Sequence, residues 1–198
     1  MKEIRKFAQE GNADAQFMLG NLYFNGEDVK KDYELAVEWF LKSAAQDFTE
    51  AQYALGVMYY EGRGVQPDTE MAVIWLTKAA RKKHIRAQYL LADIYYDGVA
   101  GEGPNYEKAR EWFAKAAENG DSDAMTRLGN MWENGEGVGP SKSAAVDWYY
   151  QAGMACLKYN HRDEALDNLD YIGRADSQNP LWRKLRDAIY SKAPHQEK

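Results

Sequence analysis

Ala15, Met18, Leu19, Leu22 and Tyr23 fall at i, i+3, i+4, i+7 and i+8, the spacing that gathers side chains on one face of a helix. Residues 26–32, which open with Gly26 and carry several charges, break the pattern. Ala36, Trp39, Phe40, Ser43 and Ala44 then restore it with the same spacing. The stretch therefore predicts two helices, A and B, joined by a polar loop. Ala15, Leu19, Leu22 and Tyr23 of helix A face helix B.

The same outline returns three more times. Its anchors are Ala15, Ala51, Ala87 and Ala124, then Gly20, Gly56, Ala92 and Gly129, then Gly26, Gly62, Gly98 and Gly135, and last Trp39, Trp75, Trp112 and Trp148. Successive offsets are 36, 36 and 37 for the alanines and 36, 37 and 36 for the tryptophans. A fixed period of this size marks stacked units, none of which can bury its apolar face alone. The extra residue in the third period lies in a longer loop from Gly98 to Asn105. Glycine inside a helix costs about 1 kcal/mol relative to alanine, so Gly20, Gly56 and Gly129 imply a close helix approach, which Ala92 also permits. Each tryptophan keeps company with small and apolar residues of helix B and is assigned to core packing.

The loops end helix A on glycine and start helix B near proline with a capping residue, as in residues 62–68 and 135–141. Their Gly-x-Gly is no phosphate loop: it follows a helix, is acidic, and lacks a Gly-Lys-Ser/Thr ending.

The second repeat carries its pattern almost unbroken in Ala51, Leu55, Gly56, Tyr59, Gly62, Gly64, Val65, Ala72, Trp75, Lys78, Ala79 and Ala80. This pattern resembles the Sel1-like repeat, a relative of the tetratricopeptide arrays, over about three quarters of the chain. The resemblance implies an all-α fold, a right-handed α/α solenoid of antiparallel helix pairs. It divides the chain into an N-terminal capping helix at 1–10, four repeats within 11–152 (about 11–46, 47–82, 83–119 and 120–155), capping helices at 156–192 and a disordered tail at 193–198. It also implies a non-enzymatic adaptor or scaffold. The alternative is a bacterial immunity protein that neutralises a secreted toxin, and a remote third reading is a hydrolase of cell-wall or lactam substrates. The lactam claims attach to cysteine-rich members with disulfides, whereas this chain has one Cys.

After Ala152 the period fails, with Cys156 where the next repeat would place its glycine or equivalent. Helix B of the fourth repeat is expected to run to about Tyr159, followed by a turn at Asn160 and His161 and a helix from Arg162 to about Arg174. Pro180 opens a last amphipathic helix with Leu181, Trp182, Leu185 and Ile189 inward, as terminal repeats cap their core. At the other end residues 6–11 align with 42–47, the end of a helix B, so the chain could begin inside a repeat.

Composition narrows the function. Apolar residues make up 45% of the 198, enough for a core, and no run of about 18 of them exists to cross a bilayer. The charged start has no secretory pattern, so the cytoplasm is expected, or the periplasm if an N-terminal signal was removed. A formal charge of -6 without a basic stripe argues against nucleic acid. Membrane insertion is not expected, and the chain is taken as a monomer or weak dimer.

Helix A also points residues away from helix B. Phe17, Asn21, Phe24 and Asn25 lie there in the first repeat, and Tyr53, Val57, Tyr60 and Glu61 in the second. Tyr89, Asp93, Tyr96 and Asp97 follow in the third, and Thr126, Asn130, Glu133 and Asn134 in the fourth. By the likeness to tetratricopeptide arrays this is the concave face. It would carry aromatic rows flanked by Glu50, Glu61, Asp93, Asp97, Asp123 and Glu133, with Arg86 the one strong cation. Aromatic anchors among acids suit a protein or peptide with a basic segment. The same rings could instead serve only packing between repeats.

No catalytic or metal constellation emerges. His84, His161 and His195 lack helical ligand spacing, and one Cys makes a zinc site improbable. Cys156 and His161 have no third orienting group and read as a buried thiol beside a turn. Asp93 and Asp97 sit one turn apart in a groove too shallow to shift their acidity for acid–base work. No cofactor is expected.

Overall fold

The computed structural model describes residues 1–191, so the expected tail at 193–198 lies outside the described residues. Among these the chain forms eleven α-helices and no strand. Its contacts divide it into two compact units, Met1–Pro104 and Asn105–Lys198. The boundary falls at the end of the long loop after Gly98.

Unit 1 contains α1 (Lys2–Gln9), α2 (Ala13–Asn25), α3 (Tyr33–Ala44), α4 (Thr49–Glu61), α5 (Thr69–Arg81) and α6 (Ile85–Asp97). Each helix packs on the next, and α4 also meets α6. Helices α2, α4 and α6 are the A helices; α3 and α5 are B helices. Helix α1 stands where a B helix would. The Gln16 side chain donates to the carbonyl of Ala8 in α1 at 3.1 Å, as Gln88 donates to the carbonyl of Ala80 in α5 at 3.0 Å.

The core pairs a small residue on helix A with a large one on helix B. Phe40 and Leu76 are almost wholly buried, and they lie against Gly20 and Gly56. A Cβ built on either glycine would stand 2.5 Å from the facing side chain. This is the close approach that the glycines imply, and it offsets their poor helix propensity.

One assignment from spacing is corrected. Met18 belongs to the helical pattern of α2 but is 52% exposed; Gln16 takes the buried place, with its amide satisfied by Ala8 and Gln46. The tryptophans pack on the core from its edge: Trp39, Trp75, Trp112 and Trp148 are all half-buried, and Trp39 and Trp75 lie against its buried residues. Lys42, Lys78 and Lys115 lie 4.0, 4.2 and 3.9 Å over the first three rings. The core centre is the next residue each time, Phe40, Leu76, Phe113 or Tyr149. A wide indole with a polar N–H settles at the edge, with one face on the protein and the other under the lysine one turn on.

The loops hold a second close approach. Gly64 has φ 73° and its α-carbon lies against the backbone of Tyr33, the first residue of α3 in the preceding repeat. The second glycine of Gly-x-Gly thus serves a contact between repeats as well as a turn. Gly137 meets Tyr106 in the same way in unit 2.

Unit 2 contains α7 (Tyr106–Glu118), α8 (Ser122–Asn134), α9 (Lys142–Lys158), α10 (Arg162–Asp176) and α11 (Pro180–Ser191). Helix α9 extends into the region where the repeat period is lost, and α10 and α11 pack against it and each other. Cys156, Leu169, Ile172, Leu185 and Ile189 join one core, with Leu181 and Trp182 half-buried against it. Burial pushes the Cys156 thiol up from its ordinary range, which leaves it a poor nucleophile.

Candidate binding site on the helix-A face

Capping residues set where each A helix begins. Asn12 accepts a hydrogen bond from the Ala15 N–H at 2.8 Å, and Asp121 one from Ala124 at 2.8 Å. In α6 the cap is His84, whose Nδ1 accepts from the Ala87 N–H at 3.1 Å. In α4 the equivalent Phe48 makes no side-chain cap; its ring packs 5.3 Å from that of Phe17. These substitutions place two rings, Phe48 and His84, at the edge of the helix-A face in unit 1.

A cavity of about 540 Å³ opens on this face. Phe17, Asn21 and Phe24 of α2 form one wall; Tyr53, Ala54 and Val57 of α4 form another. Phe40 and Met58, each 1% exposed, lie at its base. His84, Ile85 and Arg86, at the start of α6, and Glu50 complete the lining. The cavity's size is within the range of ligand pockets, and its lining is mostly apolar.

The rings are braced from within the protein. Phe17 lies 5.6 Å from Phe40, Phe24 lies 5.2 Å from Tyr33, and Tyr53 stacks on His84 at 4.5 Å and 27°. Arg63 approaches the Phe24 ring at 5.6 Å. Their outer faces line the cavity, so packing and an open surface coexist in the same side chains.

Burial lowers the His84 pKa; Glu50 opposes that shift and Arg86 adds to it. A neutral imidazole also suits Nδ1 as an acceptor. Burial raises the Tyr53 phenol, with Arg86 acting against it and Glu61 with it. Tyr60 is raised by burial and then by Asp97 and Asp93.

Of the residues expected on this face, Phe17, Asn21, Phe24 and Tyr53 are brought together in the cavity, with Val57, Glu50 and Arg86. Tyr60, Glu61, Tyr89, Asp93, Tyr96 and Asp97 are not among its lining. Tyr60 is 39% exposed, and Glu61 pairs with Arg63 at 2.7 Å. Asn25 is exposed and donates to Glu27 at 3.0 Å. Sequence reasoning missed Phe40, Ala54, Met58, His84 and Ile85 as lining. His84 had a legible signal, since it stands three residues before an anchor alanine, where Asn12 and Asp121 cap.

In unit 2, Asn130 and Glu133 lie on Tyr149. Its hydroxyl is 2.8 Å from Oδ1 of Asn130 and 2.8 Å from Oε2 of Glu133. Burial and the Glu133 carboxylate drive the phenol far above its ordinary value. The Tyr149 ring stacks on Tyr171 at 5.1 Å. These polar groups thus anchor a core ring of α9 in place.

Among the described residues no cluster of His, Cys, Asp and Glu has the makings of a metal site, and no helix is long and apolar enough to cross a membrane.

The Sel1 repeat family model matches residues 13–48, 49–84, 85–121 and 122–155. Among solved structures, the chain is similar to the c5321 protective antigen of uropathogenic Escherichia coli, with 33% identity and a TM-score of 0.81 over 96% of this chain. It spans 40% of that antigen's length. A Sel1 repeat protein from Oxalobacter formigenes shares 28% identity and a TM-score of 0.68, over 92% of this chain and 89% of the other. The immunity protein Pa5087 of Pseudomonas aeruginosa shares 22% identity and a TM-score of 0.50, over 95% and 70%, a likeness of fold alone. No curated protein matches the chain.

Proposed function

The chain belongs to the Sel1 repeat family, whose members are generally protein-interaction modules, and on that premise we propose that it is a non-enzymatic adaptor whose helix-A face in unit 1 takes a protein or peptide partner. The observation that carries this reading is the cavity of about 540 Å³ walled by Phe17, Phe24, Tyr53 and Val57. Aromatic walls that are already braced lose little freedom on binding, which favours affinity. Beyond the cavity, Tyr60, Tyr96, Asp93 and Asp97 continue the face on α4 and α6. Their charge favours a basic segment by steering its approach.

Affinity capture from the native lysate tests the reading. Val57→Trp, whose larger side chain would fill the cavity, should lose the captured protein while its melting temperature stays near that of the parent chain. Undiminished capture by the folded variant would count against this face. Capture that persists at high salt points to the rings, because exposed charge pairs are screened.

A further inference from the structure

We propose that the cavity in unit 1 takes the side chain of a tyrosine from the partner, with its ring between the apolar walls and its hydroxyl on the Asn21 amide. The inference rests on the helix-A reading above and adds the chemistry of the occupant.

The first and fourth repeats carry the same asparagine in two situations. Asn21 follows Gly20 as Asn130 follows Gly129, and Phe40 follows Trp39 as Tyr149 follows Trp148. In the fourth repeat the core ring is a phenol, and its hydroxyl donates to Oδ1 of Asn130 at 2.8 Å. In the first repeat the equivalent ring is Phe40, which has no hydroxyl to offer. The Asn21 amide accordingly has no hydrogen-bond partner among the described residues. It is half-buried and lines the cavity together with Phe17, Phe24 and Phe40. A polar group in a mostly apolar lining is thus left open toward whatever enters.

An aromatic ring with a polar tip satisfies both parts of that lining. Phe17, Phe24 and Val57 offer the ring apolar contact. An amide both donates and accepts, so Asn21 can pair with a hydroxyl in either sense. A phenylalanine in the same place would take Asn21 out of water and give it no partner. A carboxylate or an ammonium would be desolvated among hydrocarbon groups. Glu50 and Arg86, one acid and one base in the lining, give the cavity no net charge. The Nδ1 of His84 is committed to the Ala87 N–H, so it does not compete with Asn21 for the hydroxyl proton.

The test uses the full chain and three capped peptides, acetyl-Ser-Tyr-Ser-amide and its counterparts with Phe or Ala at the centre. Binding is read from the imidazole NMR signals, with His84, in the lining, as reporter and His161, in unit 2, as internal control. The tyrosine peptide should shift His84 saturably and leave His161 in place. The alanine peptide should bind about tenfold more weakly or less. The phenylalanine peptide should bind about three- to tenfold more weakly than the tyrosine peptide, the worth of one hydrogen bond. Asn21→Leu, which removes the amide from a side chain of similar size, should bring the two aromatic peptides to equal affinity. A side chain that served only the fold would change both affinities alike, so the ratio is the readout.

No saturable His84 shift with the tyrosine peptide overturns the proposal. So does a phenylalanine peptide that binds the parent chain equally well, or a tyrosine preference that survives in folded Asn21→Leu. Partner capture that is lost in Val57→Trp but undiminished in Asn21→Leu refutes the tyrosine anchor and leaves the adaptor reading standing. Capture undiminished in folded Val57→Trp counts against both.

Discussion

A methyl group placed on Gly20 would stand 2.5 Å from Cε1 of Phe40, a distance no ordinary contact reaches. The ring is 1% exposed and has no free space to retreat into. Gly20→Ala is therefore expected to lose stability although alanine is the better helix former. Overpacking costs about 1–3 kcal/mol and the propensity gain returns about 1 kcal/mol. A net loss of about 1 kcal/mol in urea unfolding follows, and Gly20→Ala with Phe40→Leu should recover part of it. Additive losses in the double variant would contradict the contact.

Leu76 and Trp75 are neighbours with opposite situations. Leu76 is fully buried against Gly56, whereas Trp75 is half-buried under Lys78. Leu76→Ala should cost about 2–5 kcal/mol. Lys78→Ala should cost about 0.5–1 kcal/mol through its lost approach to the indole. Chemical denaturation of both variants checks the order.

Lys83 ends its repeat in the left-handed region, at φ 65°. Gly11 and Gly120 occupy the equivalent places at φ 95° and 94°. Lys83→Gly should raise stability by about 0.5–1 kcal/mol, the relief of the Cβ penalty less the added freedom of the unfolded chain. Asp47, at φ 67°, is a poor site for the same change, because it binds Lys82 at 2.6 Å and Gln52 at 2.8 Å. A higher melting temperature for Lys83→Gly and none for Asp47→Gly is the expected pair of results.

His84 gives stability a pH dependence of known sign. Burial, with Arg86, holds its folded pKa below the ordinary value, against a smaller opposing pull from Glu50. The unfolded chain therefore binds more protons as the pH falls through about 6.5. The contribution of His84 is complete above that value and is lost progressively below it. His84→Asn, which can cap as Asn12 does, should remove this part of the acid loss. Urea midpoints of the two proteins between about pH 7.5 and about pH 5 should diverge toward acid; parallel curves would refute the assignment.

Tyr149→Phe removes the hydroxyl that meets Asn130 and Glu133. The loss should be about 1 kcal/mol, since Glu133 is exposed and can turn to water. Thermal unfolding measures it, and a neutral result would mean the two polar groups do not restrain the ring.

Position by position, the fold was largely legible. Alanines and glycines at a fixed period announce helix faces that approach closely, and Gly20 against Phe40 bears out that logic. Periodicity was weaker at the edges of the faces. It put Met18 inside and left the depth of each tryptophan open, because spacing assigns a direction around a helix but not the depth at which a neighbour ends. Gln16 went unnoticed for the related reason that a polar residue reveals its burial only through its partner, the Ala8 carbonyl.

The sequence alone determined the family, the helix pairs, the small-to-large contacts between them and the face that carries Phe17, Tyr53 and Phe24. Each of these follows from local periodicity and from residue sizes repeated along the chain. Tertiary structure decided which of those residues surround a cavity, because a cavity depends on the distance between side chains on different helices. It joined His84 and Ile85, from the start of α6, to the walls of α2 and α4, and left Tyr60 outside. It also turned Asn130 and Glu133 to Tyr149, a contact made by helix packing across 19 and 16 residues of sequence.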